Sequence, residues 1–138
     1  MKKILHGLDG SPSSFNALTE ALKLAKLYHA ELHTISVEEI PRFSETVGEI
    51  EEEKSAADSK FGLIIEKAKR LAADQGIAVQ THVFTGHEVK MILEFIKEQH
   101  IGLLVIGFMG NSAIYERVMG STCQTLVRMA PCSVLVVK

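Results

Sequence analysis

The apolar residues of this chain fall into short unbroken runs that alternate with helical stripes, and that alternation leaves few folds open. Leu103–Ile106 (LLVI) is apolar throughout, the mark of a strand covered on both faces. Ser133–Val137 (SVLVV) is a second such run. Lys3–Asp9 (KILHGLD), Glu31–Val37 (ELHTISV) and Ile77–Phe84 (IAVQTHVF) read as three further strands. Between them lie helical patterns. Ser11 and Pro12 give an N-cap followed by proline at the first helical position, and Phe15, Leu18, Leu22 and Ala25 then recur on one helix face. A loop containing Pro41 and Gly48 precedes a long helix from about Ile50 to Gln75, with Phe61, Ile64, Ala68 and Leu71 on one side and Gly76 as its stop. Gly86 opens a helix with Val89, Ile92, Leu93 and Ile96 buried, and a last helix is expected near Ser121–Ala130. Strands alternating with helices predict βαβ units and a parallel sheet. The elements fill residues 1–138 as one domain, with no linker or repeat.

Bulk properties exclude several function classes. The chain has 138 residues, net charge −2 and no Lys/Arg block, so neither nucleic acid nor an anionic membrane is an expected partner. No apolar run reaches the length of a membrane span, and the apolar stretch before His6 is too short for a signal peptide, so a cytoplasmic location is expected. Cys123 and Cys132 cannot make a disulfide framework, lack metal-ligand spacing and stand in apolar surroundings, as structural thiols do.

In an open parallel sheet, ligands bind beyond the carboxyl ends of the strands, where strand order reverses. Two unusual segments end the first and fourth strands: Asp9-Gly10-Ser11, and Gly107-Phe108-Met109-Gly110 running on to Gly120-Ser121-Thr122. The second has the spacing G-x2-G-x9-G-S. Glycine there permits a positive φ or the close approach of another group. Gly120-Ser121-Thr122 before a helix offers free N–H groups, two hydroxyls and the positive end of a dipole, a combination that binds phosphate. Read without further context, the same residues also describe a tight turn and an ordinary helix cap.

From ILHGLDGS through LLVIGFMGNSAIYERVMGSTCQTLVRMAPCSVLVVK, the chain resembles the universal stress protein family over essentially its whole length. The G-x2-G-x9-G-S spacing is similar to that of the family's ATP-binding branch. The resemblance implies a Rossmann-like α/β/α sandwich, similar to the adenine nucleotide alpha hydrolases, with five parallel strands in the order 3-2-1-4-5. It also implies a site. Asp9 would lie at the phosphate or Mg²⁺ end, and the backbone of Gly7 and Val37 near the adenine. Gly107 and Gly110 would face ribose and phosphates, Met109 and Asn111 would line the loop, and Gly120, Ser121 and Thr122 would hold the phosphate tail. The resident ligand would be ATP, AMP or ADP. Family members pair their last strand across a two-fold axis, so a homodimer through Ser133–Val137 is implied, with a further protein partner that the sequence does not name. The chain departs from the family pattern at Gly102, where an aspartate is common, at Asn111, where a basic or small residue is common, and in the apolar pair Phe108-Met109; Arg117 is a candidate replacement cation.

Other signals are expected to be structural. The six histidines are expected to offer neither an H-x3-H metal pair nor HExxH spacing, and read as solvated or hydrogen-bonded: His33 and His82 on strands, His29 and His100 at helix ends, His6 and His87 near turns. The acidic run Glu49–Glu53 suits the start of a helix. No G-x-S-x-G elbow, P-loop lysine or HxGH-like motif is present. The expected function is therefore an ATP-binding stress or regulatory homodimer with at most slow hydrolysis. Two alternatives are a nucleotide-free interaction module of the same fold and a slow ATPase or nucleotide-transfer enzyme.

Overall fold

The computed structural model describes residues 2–39, 47–109 and 119–138. Among them five strands alternate with four helices: β1 (Lys3–Gly7), α1 (Pro12–Tyr28), β2 (Glu31–Glu38), α2 (Val47–Asp74), β3 (Val79–Thr85), α3 (Glu88–Gln99), β4 (Leu103–Gly107), α4 (Ser121–Met129) and β5 (Ser133–Val137). Every neighbouring pair is parallel, and the sheet order is β3-β2-β1-β4-β5. The chain fills the sheet outward from β1 to β3, returns to the other side of β1 for β4, and so reverses its direction of growth between β1 and β4.

The two-residue period of the strands sorts the core into two layers. Ile4 and Leu8, Leu32, and Leu103 and Val105 meet α1 through Ala17, Leu18, Ala21, Leu22 and Ala25, and α2 through Ala68 and Ala72. The alternate residues Leu5, Ile35, Leu104 and Ile106 meet Ile92, Phe95 and Ile96 of α3 and Cys123 and Leu126 of α4. Leu103 to Ile106 are all buried, which is why that run carries no polar residue. β5, at the sheet edge, is covered less: Ser133 and Leu135 are exposed, while Val134, Val136 and Val137 pack partly against the two layers.

Local chemistry sets the element ends. Ser11 accepts the Ser14 N–H at 3.1 Å and caps α1, with Pro12 following it, as expected. Gly76 is left-handed (φ 72°) after α2. His29 and His100 take left-handed caps (φ 51° and 54°) that usually fall to glycine. Three expectations need correction. Gly48 lies inside α2, where a helical pattern upstream of Ile50 overrides one glycine's weak preference for a loop. Gly86 (φ 149°) makes the turn, but His87 is the N-cap of α3 because its ring nitrogen accepts the Lys90 N–H. His6 is no turn residue: it is fully buried mid-strand between Thr34 and Val105.

His6 Nε2 donates to the Ser14 carbonyl at 2.7 Å, tying β1 to the first turn of α1. Burial pushes its pKa down to about 4, against the opposing pull of that carbonyl and of Asp9, so the ring is neutral at pH 7.

Two glycines give opposite expectations. A Cβ on Gly10 (φ 86°) would stand 2.4 Å from Ile64 Cδ1, whereas one on Gly62, inside α2, meets nothing within 4 Å. Gly10→Ala is expected to lower the unfolding free energy by about 1–3 kcal/mol through strain and overpacking. Gly62→Ala is expected to raise it by about 0.5–1 kcal/mol. Urea denaturation of the two variants checks both signs.

Candidate functional site

The reversal between β1 and β4 gathers the ends of three strands along one edge. Gly7 ends β1, Val37 is the penultimate residue of β2 and Gly107 ends β4. Beyond Gly7 the chain turns sharply: Asp9 Oδ1 accepts the Ser11 N–H at 2.8 Å, and Gly10 adopts its positive φ. Beyond Gly107 it is pinned from both sides. Phe108 N–H donates to the Val137 carbonyl at 2.9 Å, and the Phe108 carbonyl accepts the Gly120 N–H at 3.0 Å.

Gly107 is glycine for an internal reason. A Cβ there would lie 2.4 Å from Ser13 Oγ and 2.8 Å from the Ser13 backbone. The same Ser13 hydroxyl accepts the Met109 N–H at 3.1 Å. The close approach that sequence reasoning reserved for a ligand is thus made by α1. Gly110, Asn111 and Arg117 lie outside the described residues.

On the α3/α4 side of this edge an open groove of about 750 Å³ runs between the two helices. Ser121, Thr122 and Thr125 of α4 form one wall; His87, Glu88 and Lys90 of α3, with Glu39 just after β2, stand opposite. Of the expected site residues, Ser121 and Thr122 line this groove. Gly7, Asp9, Val37, Gly107, Met109 and Gly120 are not among its walls, although their strand ends and turns border the same edge.

The two helix N-termini on the groove differ. At α3, Glu39 Oε1 accepts the Glu88 N–H at 3.0 Å and His87 accepts that of Lys90. At α4, Gly120 is the N-cap and supplies no side-chain hydrogen bond. Its own N–H is committed to Phe108, and its carbonyl accepts the Gln124 N–H at 3.0 Å. The amides of Ser121, Thr122 and Cys123 precede that first intrahelical bond, so they carry the positive end of the α4 dipole.

The backbone of Val37 can be placed by alternation. Peptide groups along a strand point alternately to its two neighbours. Ile35 accepts the Leu8 N–H on the β1 side, and Glu38 accepts the Gly86 N–H on the β3 side. Val37 therefore turns its N–H and carbonyl toward β1, beyond the point where β1 has ended. One donor and one acceptor sit side by side there.

Sequence reasoning missed the α3 wall. Glu88 is half-buried, and its pKa is pushed up to about 7, first by burial and then by the nearby charges of Asp9 and Glu39. The available signal was positional: Gly86-His87-Glu88 follows a strand at the same carboxyl edge. An acid in a first helical turn reads as ordinary dipole complementation, which masked it. His29 and His33 do stand four apart, but they belong to a helix cap and a strand. Among the described residues no group of three His, Cys, Asp or Glu side chains is arranged to hold a metal ion. Both thiols are pushed up by burial, which suits packing rather than reactivity.

A strand reversal, an uncapped helix start and a groove beside it define a doubly wound α/β protein with a crevice at the carboxyl edge of its sheet. The comparisons narrow the class. The model of the universal stress protein family matches residues 1–138, and the chain belongs to that family. It is 33% identical over 145 residues to the universal stress protein YxiE of Bacillus subtilis, covering 99% of this chain and 98% of that protein. Among solved structures, the universal stress protein UspA of Lactobacillus plantarum superposes with a TM-score of 0.91 at 23% identity, covering 99% and 97% of the two chains. A universal stress protein crystallised in complex with cAMP superposes at 0.76 with 25% identity, covering 99% and 97%. No described helix is long and apolar enough to cross a membrane.

The Glu88 carboxyl gives a pH-dependent expectation. Its folded pKa is raised, so the fold favours the protonated form and loses stability as pH climbs from the unfolded value through about 7. Glu88→Gln is expected to raise the unfolding free energy by roughly 1–3 kcal/mol at pH 8 and to change it little at pH 5. Urea melts at the two pH values check the sign.

Proposed function

We propose that this chain is an adenine-nucleotide-binding regulatory protein, holding ATP or its di- or monophosphate at the carboxyl edge of the sheet and acting as a homodimer. The observation that carries this reading is the first turn of α4, which lacks a side-chain cap and opens on the groove through Ser121 and Thr122. The first-turn N–H groups and the positive end of the helix dipole stand beside two hydroxyl-bearing residues on the groove, which is the chemistry a phosphate requires. The outward donor and acceptor of Val37 match the N1 and N6 edge of adenine, with Gly7 beside them at the end of β1. Gly107, Met109, Gly110, Asn111 and Gly120 complete the loop between ribose and phosphates. The cAMP complex of a structural relative supports an adenine nucleotide as the ligand class.

The residues fit Mg²⁺ as a passenger of the phosphates rather than as a resident ion. Asp9 would supply an oxygen ligand for it, and in the fold it holds the turn at Ser11. A bound Mg²⁺ neutralises charge on the phosphates. The chain's own part is to bind and orient. It has no P-loop lysine to stabilise transferring phosphate, so nucleotide occupancy, not turnover, is the working state.

Substitution at Thr122 tests the site without breaking the fold. A carboxylate in the first turn of a helix favours the helix by about 0.3–1 kcal/mol, yet repels a phosphate. The native chain is expected to bind Mg-ATP by calorimetry. Thr122→Glu is expected to bind at least about tenfold more weakly at unchanged or higher melting temperature. No heat of binding for the native chain at millimolar Mg-ATP, or equal affinity in the variant, contradicts the reading.

The dimer rests on β5. It is an edge strand with Leu135 exposed, preceded by a helix that exposes Val127 and Met129. An unpaired apolar edge is satisfied by a second copy. Leu135→Asp is expected to convert a dimer to a monomer in sedimentation velocity, with the far-UV circular dichroism unchanged.

A further inference from the structure

At the other side of the sheet, β2 and the edge strand β3 each carry one of a pair of histidines that the nucleotide site does not use. His33 Nδ1 of β2 and His82 Nε2 of β3 lie 2.9 Å apart, and their rings stack with centroids 5.2 Å apart. His33 is buried and His82 half-buried. Phe95 of α3 closes over both, with centroids 5.7 Å from His33 and 4.7 Å from His82, and Phe84 stacks beside His82. The remaining nitrogen of His33, Nε2, stands 3.0 Å from Glu31 Oε1. Glu31 in turn accepts from Gln80 Nε2 at 2.6 Å and feels the charge of Lys3 on β1. The charged and titratable groups bearing on the pair are therefore Glu31 on β2 and, through it, Lys3 on β1; β3 adds the neutral Gln80, and α3 presents a ring.

The proton count follows from the geometry. With one proton per ring, His82 Nε2–H donates to His33 Nδ1, and His33 Nε2–H faces Glu31. One added proton on the pair still leaves one of the two facing nitrogens free to accept, so the 2.9 Å bond survives. A second added proton leaves no acceptor between the rings. It puts two cations at hydrogen-bond distance beneath an aromatic side chain, and only separation relieves them. Burial and the neighbouring His33 both push the His82 pKa down, in keeping with that conflict.

We propose that the His33–His82 pair is a proton-operated clasp, which holds β3 to β2 while it carries at most one extra proton and releases the strand when it takes a second. β3 runs through Gly86 directly into His87 and Glu88, so release of the strand also frees the α3 wall of the groove. The clasp stands or falls independently of any nucleotide.

Hydrogen exchange on the full chain without ligand tests it. Between pH 7.5 and 5, β3 amides, corrected for intrinsic exchange chemistry, are expected to open about tenfold more often per pH unit once the second proton binds in the open form. β1 and β4 amides, whose exposure also requires opening around buried His6, should stay better protected than β3 throughout that range. In His82→Gln, whose amide replaces the ring donor without titrating, the extra opening of β3 should vanish. The imidazole ¹⁵N shifts of the native chain provide a second reading: the pair should titrate in two separated steps. Loss of β3 protection only together with that of β1, persistence of the β3 effect in His82→Gln, or a single shared step in the ¹⁵N titration overturns the proposal.

Discussion

The carboxyl edge of this sheet depends on how tightly the first turn of α1 packs against the end of β4. Ser13 occupies the space where Gly107 would carry a side chain, and its hydroxyl takes the Met109 N–H. From the other direction His6, buried in β1, grips the Ser14 carbonyl. These contacts fix where β4 releases the chain, and Phe108 then passes that position on to β5 and to the N-cap of α4. A parallel sheet lends itself to this arrangement, since all its strands end on the same side and one reversal opens a crevice there.

Electrostatics give the groove a direction. Burial first, and then the charges of Asp9 and Glu39, hold a proton on Glu88 near neutral pH, and Glu39 fills the start of α3 on that wall. The start of α4 has no such carboxylate cap. An anionic ligand meets repulsion at one end and a helix dipole at the other, so its charged group has a single favourable place in the proposed site.

Much of the fold was legible in the residues. The parity of Leu103–Ile106 and the stripe Leu18-Leu22-Ala25 follow from burial alone, and the Ser11-Pro12 start is local chemistry. The strand order came from family resemblance, because periodicity does not say which strands are neighbours. The site was legible in part. Ser121 and Thr122 open a helix and line the groove, but Gly107 is explained by Ser13, ninety-four residues away in the chain. Such a contact leaves no mark in either segment. Glu88 and the His33–His82 pair escaped for the same reason: each is ordinary in its own segment, and it becomes unusual only when β2, β3 and α3 converge on it.

The central claim is that the first-turn amides of α4 receive an anion. Amide chemical shifts followed during titration with Mg-ATP test it residue by residue. The Ser121, Thr122 and Cys123 amide protons should move most, with Val37 following and the amides at the start of α1 nearly still. Saturable shifts that spare α4 and gather elsewhere, or no shifts at all, would contradict it.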